Sequence, residues 1–285
     1  MPDDWSTVAQ IAGATADGSR AVSQAEWNVW AASPEARLIA MLRGDHLIGF
    51  AYVFELGPAE WWVEGLRIQP DHGGGATEMA LLTRVVEEFG QIGIGLLRLA
   101  VGSSHDSLAK VASDSGFRRL ISYRPLAAPV LEADYRSFKL LQAANHEMAH
   151  QYMRRSPMNR VSHFAEKNWT FYYVTQERLH QYLGDPQVQV LGWRQFDQMH
   201  GLAVIHHAVD AAPVGPMQIG YVDAPDDTTF LAMLAALRGL AAKRGFTNIH
   251  WMMPLSIGLD RSVSSTDLQP SWNADLSLFE RPLRV

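Results

Sequence analysis

The chain has 285 residues, of which 47% are hydrophobic and 19% charged, so it can bury a sizeable core and is not a disordered protein. Its net charge of −6 and its lack of a basic run argue against nucleic acid or an anionic membrane as the main partner, because both need a positive surface. The absence of cysteine excludes disulfides, thiolate nucleophiles and cysteine-bound zinc. The first residues, MPDDWSTVAQ, lack the basic and then apolar layout of a signal peptide, so we expect a cytoplasmic protein.

The first half alternates between helical and strand patterns. In chain order it predicts two helices, a hairpin that turns at Gly44-Asp45, a third strand, a long helix, a strand, a short helix and a last strand. The predicted ranges are 5–12, 24–31, 36–44 with 46–56, 61–69, 78–91, 96–102, 107–116 and 117–126. This order indicates an α/β fold in which helices flank a mixed sheet.

The second half repeats the order of strand, helix and strand. Pro225 ends a strand as Pro70 does, 155 residues earlier, and Arg281-Pro282-Leu283 repeats Arg124-Pro125-Leu126 at a spacing of 157. The predicted elements of this half are 217–225, 227–245, 247–254 and 276–283. LAAPVLEADY, residues 126–135, has the composition of a linker. We therefore expect two tandem domains, residues 1–130 and 131–285.

The segment EGLRIQPDHGGGATEMALL, residues 64–82, is followed by a strand, a short helix and Gly116-Phe117. This arrangement resembles the GNAT-type N-acetyltransferases. The resemblance covers residues 5–126, while the second half shares the outline with few motifs. It implies that an acetyl group passes from acetyl-CoA to a primary amine of a small-molecule acceptor, in a monomer or a homodimer.

The glycine-rich turn and the start of the following helix form the expected coenzyme site. Backbone N–H groups there can bind a diphosphate, and glycines let the backbone approach it closely. The preceding strand can offer main-chain groups to the pantetheine arm where neighbouring strands separate. The residues expected to bind the coenzyme are Leu66, Arg67, Ile68, His72, Gly73, Gly74, Gly75, Ala76 and Thr77.

Glu64 is the predicted general base, because the resemblance implies a glutamate on this strand that accepts the proton of the amine. Alternation along the strand predicts that Glu64 shares one face with Trp62, Leu66 and Ile68, whose apolar character would raise its pKa. The alternative is a structural carboxylate paired with Arg67 or another cation. The resemblance implies that the second helix, which contains Trp27 and Trp30, borders the acceptor site, and Trp61 and Trp62 flank Glu64.

Several residues depart from the family pattern. Gly73 stands where the loop usually has Arg or Gln, and Glu78 brings a negative charge into the first turn of the helix. The tyrosine that often protonates the departing thiolate is replaced by Ala112. His105 is a candidate substitute, or a helix cap. These departures leave a second hypothesis open, a catalytically inactive relative that binds a ligand or partner.

The second half has a poorer coenzyme site, because its loop DDTTF lacks glycine and places Asp223, Asp226 and Asp227 near a helix start. Carboxylates cap a helix well and repel phosphate. We expect a degenerate copy that completes the fold and forms a wall of the acceptor pocket. The first strand of the family fold is not evident in the first half, so it is either missing or supplied by the second.

The segment NHEMAH contains an H-E-x-x-H pattern at His146, Glu147 and His150, which on a helix is typical of zinc proteases. A third ligand is not evident, since QYMRRSP follows. The duplication instead makes this segment the first helix of the second half. We therefore expect no metal, and a zinc hydrolase is the third hypothesis.

Overall fold

The computed structural model describes residues 5–13, 22–34, 36–156, 159–160, 162–195, 198–207, 212–213, 215–255, 263–264 and 266–283. The chain forms two compact units. Unit 1 comprises Met1–Leu120 and Leu276–Val285, and unit 2 comprises Ile121–Asp275. Among the described residues, no helix combines the length and the apolar character that are needed to cross a membrane.

The elements up to the first unit boundary follow the predicted order. They are α1 (Trp5–Gly13), α2 (Gln24–Ala32), β1 (Ala36–Arg43), β2 (His46–Gly57), β3 (Glu60–Ile68), α3 (Gly75–Gly90), β4 (Gly95–Gly102), α4 (Asp106–Asp114) and β5 (Arg118–Pro129), which continues into unit 2. A capping box between Ser23 and Glu26 starts α2.

The elements of the remaining chain repeat this pattern. They are β6 (Phe138–Leu140), α5 (His146–Arg155), β7 (Phe164–Lys167), β8 (Thr170–Tyr173), α6 (Gln176–Gly184), β9 (Gln189–Gln195), β10 (Gln198–Ile205), β11 (Met217–Asp223), α7 (Asp227–Lys243), β12 (Asn248–Pro254), β13 (Gln269–Pro270) and β14 (Leu276–Leu283). The predicted elements are thus confirmed, and the largest differences are three residues, at the start of α3 and at the end of β5.

Each unit contains the same arrangement of strands. In unit 1 the order is β1-β2-β3-β4-β14, in which β3 and β4 are parallel and the other neighbours are antiparallel. In unit 2, β9-β10-β11-β12-β5 has the same order and the same directions. In unit 2 this order continues with β6 next to β9, which corresponds to the first strand that the described residues of unit 1 lack. Unit 2 also contains β7 and β8, which form a separate two-stranded sheet, and β13, which pairs with β5. The fold is α/β, as predicted.

Strand β2 is buried on both faces, as expected for an apolar run with helices on each side. Ala51 and Val53 pack in the cluster that contains α3, whereas Leu47 and Phe50 pack with Trp27 of α2. Two helical layers therefore cover the sheet of unit 1. Glu64 lies on the neighbouring strand β3, and its side chain can face only one of these two layers.

The unit boundaries differ from the predicted domains, because the last strand of the chain, β14, lies in unit 1. It pairs with β4 from Leu276↔Gly102 to Leu283↔Gly95. In unit 2 the corresponding place beside β12 is taken by β5, so the repeated Arg-Pro-Leu segments lie in strands exchanged between the halves. The predicted linker 126–135 is wrong at its start, because Leu126–Pro129 continues β5. Pairing with β12 satisfies its backbone despite its loop-like composition.

Candidate active site

Strands β3 and β4 separate after a short parallel contact. They pair only from Glu60–Trp62 to Leu96–Arg98, although β3 continues to Ile68 and β4 to Gly102. Beyond Trp62 and Arg98 no pairing joins these two fully described strands. The opening exposes main-chain groups of β3 to any ligand that enters between the strands, and a ligand with amides can replace the missing ladder.

A β-bulge at Gly65 lies directly after Glu64. Tyr52 pairs with Glu64 and Phe50 pairs with Arg67, so Gly65 and Leu66 together face Ala51. Gly65 has a φ of 63°, a left-handed conformation that glycine adopts without strain. The extra residue reverses which side of the sheet the later side chains face.

The predicted face of Glu64 is therefore wrong in part. Leu66 and Ile68 pack with Val63 in the α3 cluster, whereas Glu64 lies opposite Tyr52 and on the same side as Trp62. Uninterrupted alternation would have kept Leu66 and Ile68 beside Glu64, and the bulge is the physical reason that they are not. Arg67 instead returns to the face of Glu64, with its Nε 3.7 Å from where a Cβ on Gly65 would lie.

The carboxylate of Glu64 has aromatic surroundings on the α2 side of the sheet. Trp62 donates its Nε1–H to Glu64 Oε2 at 3.1 Å, and Trp30 stacks on Tyr52 with ring centroids 4.3 Å apart. Burial raises the pKa of Tyr52, a hydrogen bond with the Ser33 side chain opposes this, and the nearby charge of Glu64 raises it further. Trp27 is buried against Phe50. Of the two tryptophans on α2, Trp30 is thus the one that stacks on Tyr52, the residue paired with Glu64.

Three backbone N–H groups are free at the start of α3. Residues Pro70–His72 form a 3-10 turn, Gly74 is the N-cap with a φ of 129°, and the helix begins at Gly75. The amides of Thr77 and Glu78 both donate to the carbonyl of Gly74. The amides of Gly74, Gly75 and Ala76 make no hydrogen bond within the described part of the chain. Together with the helix dipole they form an arrangement that can bind an anion.

The predicted start of this helix at residue 78 is wrong, because helical geometry begins three residues earlier. Gly75, Ala76 and Thr77 form its first turn, although glycine has low helix propensity. Gly75 lowers the stability of this first turn, but its lack of a side chain leaves the amides of Gly75 and Ala76 accessible to a ligand. Glu78 also lies in the first turn, as expected, and its Oε2 accepts a hydrogen bond from Ser107 Oγ at 2.7 Å.

His105 and Ala112 occupy different environments. His105 is the N-cap of α4, and its carbonyl accepts the amide of Ala109 at 3.0 Å, but its side chain does not cap the helix. Ala112 is fully buried in the α3 cluster, where it offers no proton donor. The role of His105 as a general acid stays a prediction.

Unit 2 repeats the opening and the bulge without the carboxylate. Strand β11 pairs in parallel with β12 only from Met217–Ile219 to Ile249–Trp251, and its register with β10 shifts at Gly220. Gly220 follows Gly65 by 155 residues, the spacing of Pro70 and Pro225, and at this spacing Ile219 corresponds to Glu64. Asp226 caps α7 by accepting the amide of Thr229 at 2.7 Å.

The H-E-x-x-H segment lies on α5, as expected from the duplication. The ring centroids of His146 and His150 are 6.1 Å apart, and His180 of α6 approaches His146 at 5.0 Å. Glu147 accepts a hydrogen bond from Gln151. Within the described residues, no group of three or more potential ligands could hold a metal ion.

Comparison with solved structures shows one kind of fold along nearly the whole chain. A GCN5-related N-acetyltransferase from Sphaerobacter thermophilus has a TM-score of 0.66 at 14% identity, over 98% of this chain and 91% of that one. A tandem GNAT protein from the clavulanic acid biosynthesis pathway has a TM-score of 0.55 at 12% identity, over 99% and 97%. The chain has a tandem GNAT-type fold. No protein-family model and no curated protein sequence matches it.

Within the tandem GNAT-type fold, sequence reasoning missed the aromatic partner of Glu64. Tyr52 was not singled out, yet it faces Glu64 across β2 and β3. The turn at Pro58-Ala59 pairs Gly57 with Glu60, and a register shift between Glu55 and Gly57 then brings Tyr52 opposite Glu64. Reading the turn alone would have given a register one residue off, so the sequence did not indicate this pair. The stacking of Trp30 on Tyr52 depends on how α2 packs and had no signal in the sequence.

Proposed function

We propose that unit 1 catalyses transfer of an acetyl group from acetyl-CoA to a primary amine of a small acceptor. The observation that carries this proposal is one continuous segment, Glu60–Ala76. It contains a strand that separates from its parallel neighbour, a carboxylate at the opening, and free amides at the start of a helix. The fold supports acyl transfer in general. That the acyl group is acetyl and that the acceptor is an amine are parts of this proposal.

The proposed reaction is direct attack. The amine nitrogen bonds to the thioester carbonyl carbon, the carbon–sulfur bond breaks, and Glu64 accepts the proton that the nitrogen loses, directly or through water. Coenzyme A leaves as the thiolate and takes up a proton, for which His105 is the proposed donor. No step needs a metal. The main task of the protein is to hold the two reactants in position.

Each group of the coenzyme has proposed partners in unit 1. Leu66, Arg67 and Ile68 lie in the part of β3 that does not pair with β4, and amides of a pantetheine arm are proposed to pair with the main chain there. The diphosphate binds the turn of His72, Gly73, Gly74, Gly75, Ala76 and Thr77, chiefly through the free amides of Gly74, Gly75 and Ala76.

Unit 2 is proposed to bind no coenzyme. Ile219 replaces the carboxylate, and the side chain of Asp226 already uses a first-turn amide of α7 and adds negative charge. Its proposed role is to complete the fold. A cytoplasmic location, a small-molecule amine as the partner, and a monomer or homodimer also stay predictions.

The first test is isothermal titration of the protein with acetyl-CoA. We expect binding with a Kd below about 1 mM, the usual range for enzyme substrates. If no heat of binding is measured at millimolar acetyl-CoA, the transferase function is excluded, and only a protein that binds another ligand remains.

The second test replaces the proposed base. Glu64→Gln keeps the acceptor atom for the Trp62 N–H but not the negative charge, so we expect kcat with an amine found by screening to fall at least about a hundredfold. The Kd for acetyl-CoA should change little. Glu55→Gln, an exposed glutamate of β2, is the matched control and should retain wild-type turnover. Wild-type turnover in Glu64→Gln would remove Glu64 from the mechanism.

The second candidate is a catalytically inactive binding protein with the same fold. Two observations favour it, the burial of Ala112 where a proton donor is usual, and the negative charge of Glu78 in the first turn of α3. Coenzyme binding without turnover over a broad screen of amines would support this candidate against the enzyme.

A further inference from the structure

Arg43 is a cation beside the proposed diphosphate site that sequence reasoning did not assign. It is the last residue of β1, it is exposed, and its Nη1 lies 3.5 Å from Nδ1 of His72. In the described part of the chain Arg43 forms no ion pair with a carboxylate. A guanidinium that forms no ion pair keeps its full charge available for an anion.

The diphosphate site itself contains little positive charge. Gly73, Gly74 and Gly75 have no side chains, so the three free amides and the helix dipole are its attractive groups. Glu78 in the same turn opposes them. A bound diphosphate would therefore gain from a cation that another element supplies.

Arg43 is placed to supply this charge. His72 precedes Gly74 by two residues, and two trans peptide units span at most about 7.6 Å between Cα atoms. The hydrogen bond with His72 uses one N–H of the guanidinium and leaves Nε–H and the Nη2 donors for oxygen atoms of a phosphate. His72 then holds the guanidinium at the entrance of the turn.

We propose that Arg43 binds a phosphate group of the coenzyme and supplies the positive charge that the glycine turn lacks. This inference rests on the proposed function, because it needs coenzyme A as the ligand. Two parts of the coenzyme have the required chemistry, the diphosphate and the 3′-phosphate. His72 has the positioning role, and the free amides bind the remaining oxygen atoms.

The test compares Arg43→Gln with Arg37→Gln. Arg37 is also an exposed arginine of β1, six residues earlier and thus roughly 20 Å away, so both variants lose one positive charge from the same strand. Each protein is titrated with coenzyme A, with 3′-dephospho-coenzyme A and with pantetheine, at two salt concentrations. Thermal unfolding of each variant reports whether the fold is retained.

We expect Arg43→Gln to weaken coenzyme A binding about tenfold, the usual effect of one charge-assisted hydrogen bond, and to reduce its salt dependence. Pantetheine binding should be unchanged, and Arg37→Gln should bind like the wild type. If the loss persists with 3′-dephospho-coenzyme A, Arg43 binds the diphosphate, and if it disappears, Arg43 binds the 3′-phosphate.

Two results separate failure of this inference from failure of the proposed function. If the wild type binds coenzyme A and both variants bind it equally well, the inference is overturned while the proposed function stands. If the wild type binds neither coenzyme A nor pantetheine, the proposed function itself fails.

Discussion

Gly65 is the residue at which β3 changes the face of its side chains. With a φ of 63° it allows the bulge that turns Leu66 and Ile68 to the α3 side, while Glu64 stays on the side of Trp62 and opposite Tyr52. A carboxylate among the core residues that pack on α3 would lose its hydration without gaining a partner. Beside Tyr52, Glu64 instead faces α2, the helix proposed to border the acceptor. One glycine thus separates the proposed base from the apolar residues that follow it on β3.

Glu166, at the end of β7, is a buried carboxylate in unit 2 with no lysine or arginine partner among the described residues. It accepts the amide of Trp169 at 2.5 Å and an N–H of Gln218. Burial raises its pKa to about 7, and these two hydrogen bonds act in the opposite direction. Its proton is therefore held more strongly in the folded state than in the unfolded state.

Replacing this carboxylate should change the pH dependence of stability. Because the folded pKa of about 7 exceeds the unfolded value of 4.5, the folded state binds more protons between these values, and the free energy of unfolding falls as pH rises from 4.5 to 7. Glu166→Gln should remove this fall, which amounts to about 3 kcal/mol, and stabilise the protein at pH 8 relative to the wild type.

Urea unfolding followed at pH 5 and at pH 8 measures this difference. Glu132→Gln, an exposed glutamate of unit 2, is the control and should keep the wild-type pH dependence. Parallel curves for Glu166→Gln and the wild type would contradict the assignment of a raised pKa to Glu166.

At the scale of elements, α3 is the helix that organises the site. Its core face, which includes Leu81, Leu82, Val85 and Phe89, packs on the sheet, while its first turn is made of small residues with open amides. Glu78 suits the bare helix, because a negative charge favours the positive end of the helix dipole. The same charge should disfavour a diphosphate at that end. Helix stability and ligand binding therefore place opposite demands on Glu78.

Glu78→Gln should separate these two demands. We expect coenzyme A to bind about threefold more tightly, from the loss of one nearby negative charge, and pantetheine to bind as before. The free energy of unfolding should fall by a few tenths to about 1 kcal/mol. The measurements are isothermal titration and thermal unfolding.

The control is Glu87→Gln, nine residues further along α3 and thus about 13 Å away, where salt screens the charge. Equal coenzyme affinities of the wild type, Glu78→Gln and Glu87→Gln would mean that no phosphate lies near the first turn of α3.

At the scale of the whole molecule, the final strand links the end of the chain to unit 1. Glu280 of β14 accepts Nε–H of Arg98 at 2.9 Å, and Glu60 accepts Nη1–H of the same guanidinium at 2.9 Å. Arg98 is only 1% exposed, so it depends on both carboxylates. Nη2 of Arg118, whose side chain is exposed, lies 3.4 Å from Oε1 of Glu280. Residues separated by 182 positions thus form one buried ionic cluster.

Glu280→Gln should destabilise unit 1 by about 2 kcal/mol, because a buried guanidinium then loses a charged partner. Amide hydrogen exchange should become faster in β4, which pairs with β14, and stay unchanged in β11 of unit 2. Glu55→Gln, whose carboxylate is exposed, serves as the reference and should change the free energy of unfolding by less than about 0.5 kcal/mol. Equal acceleration of exchange in both strands would show that the cluster does not act on unit 1 alone.

The sequence by itself determined the class of fold, the order of the elements and the duplication, because these depend on local periodicity and on landmarks such as Pro70 and Pro225. It also indicated the segment of the proposed site, since glycines before a helix and a carboxylate on a strand are local features. The tertiary structure decided which face Glu64 occupies, which half receives β14, and that Arg43 meets His72. Each of these depends on pairing between distant parts of the chain, and a period of two residues cannot report a bulge or an exchanged strand.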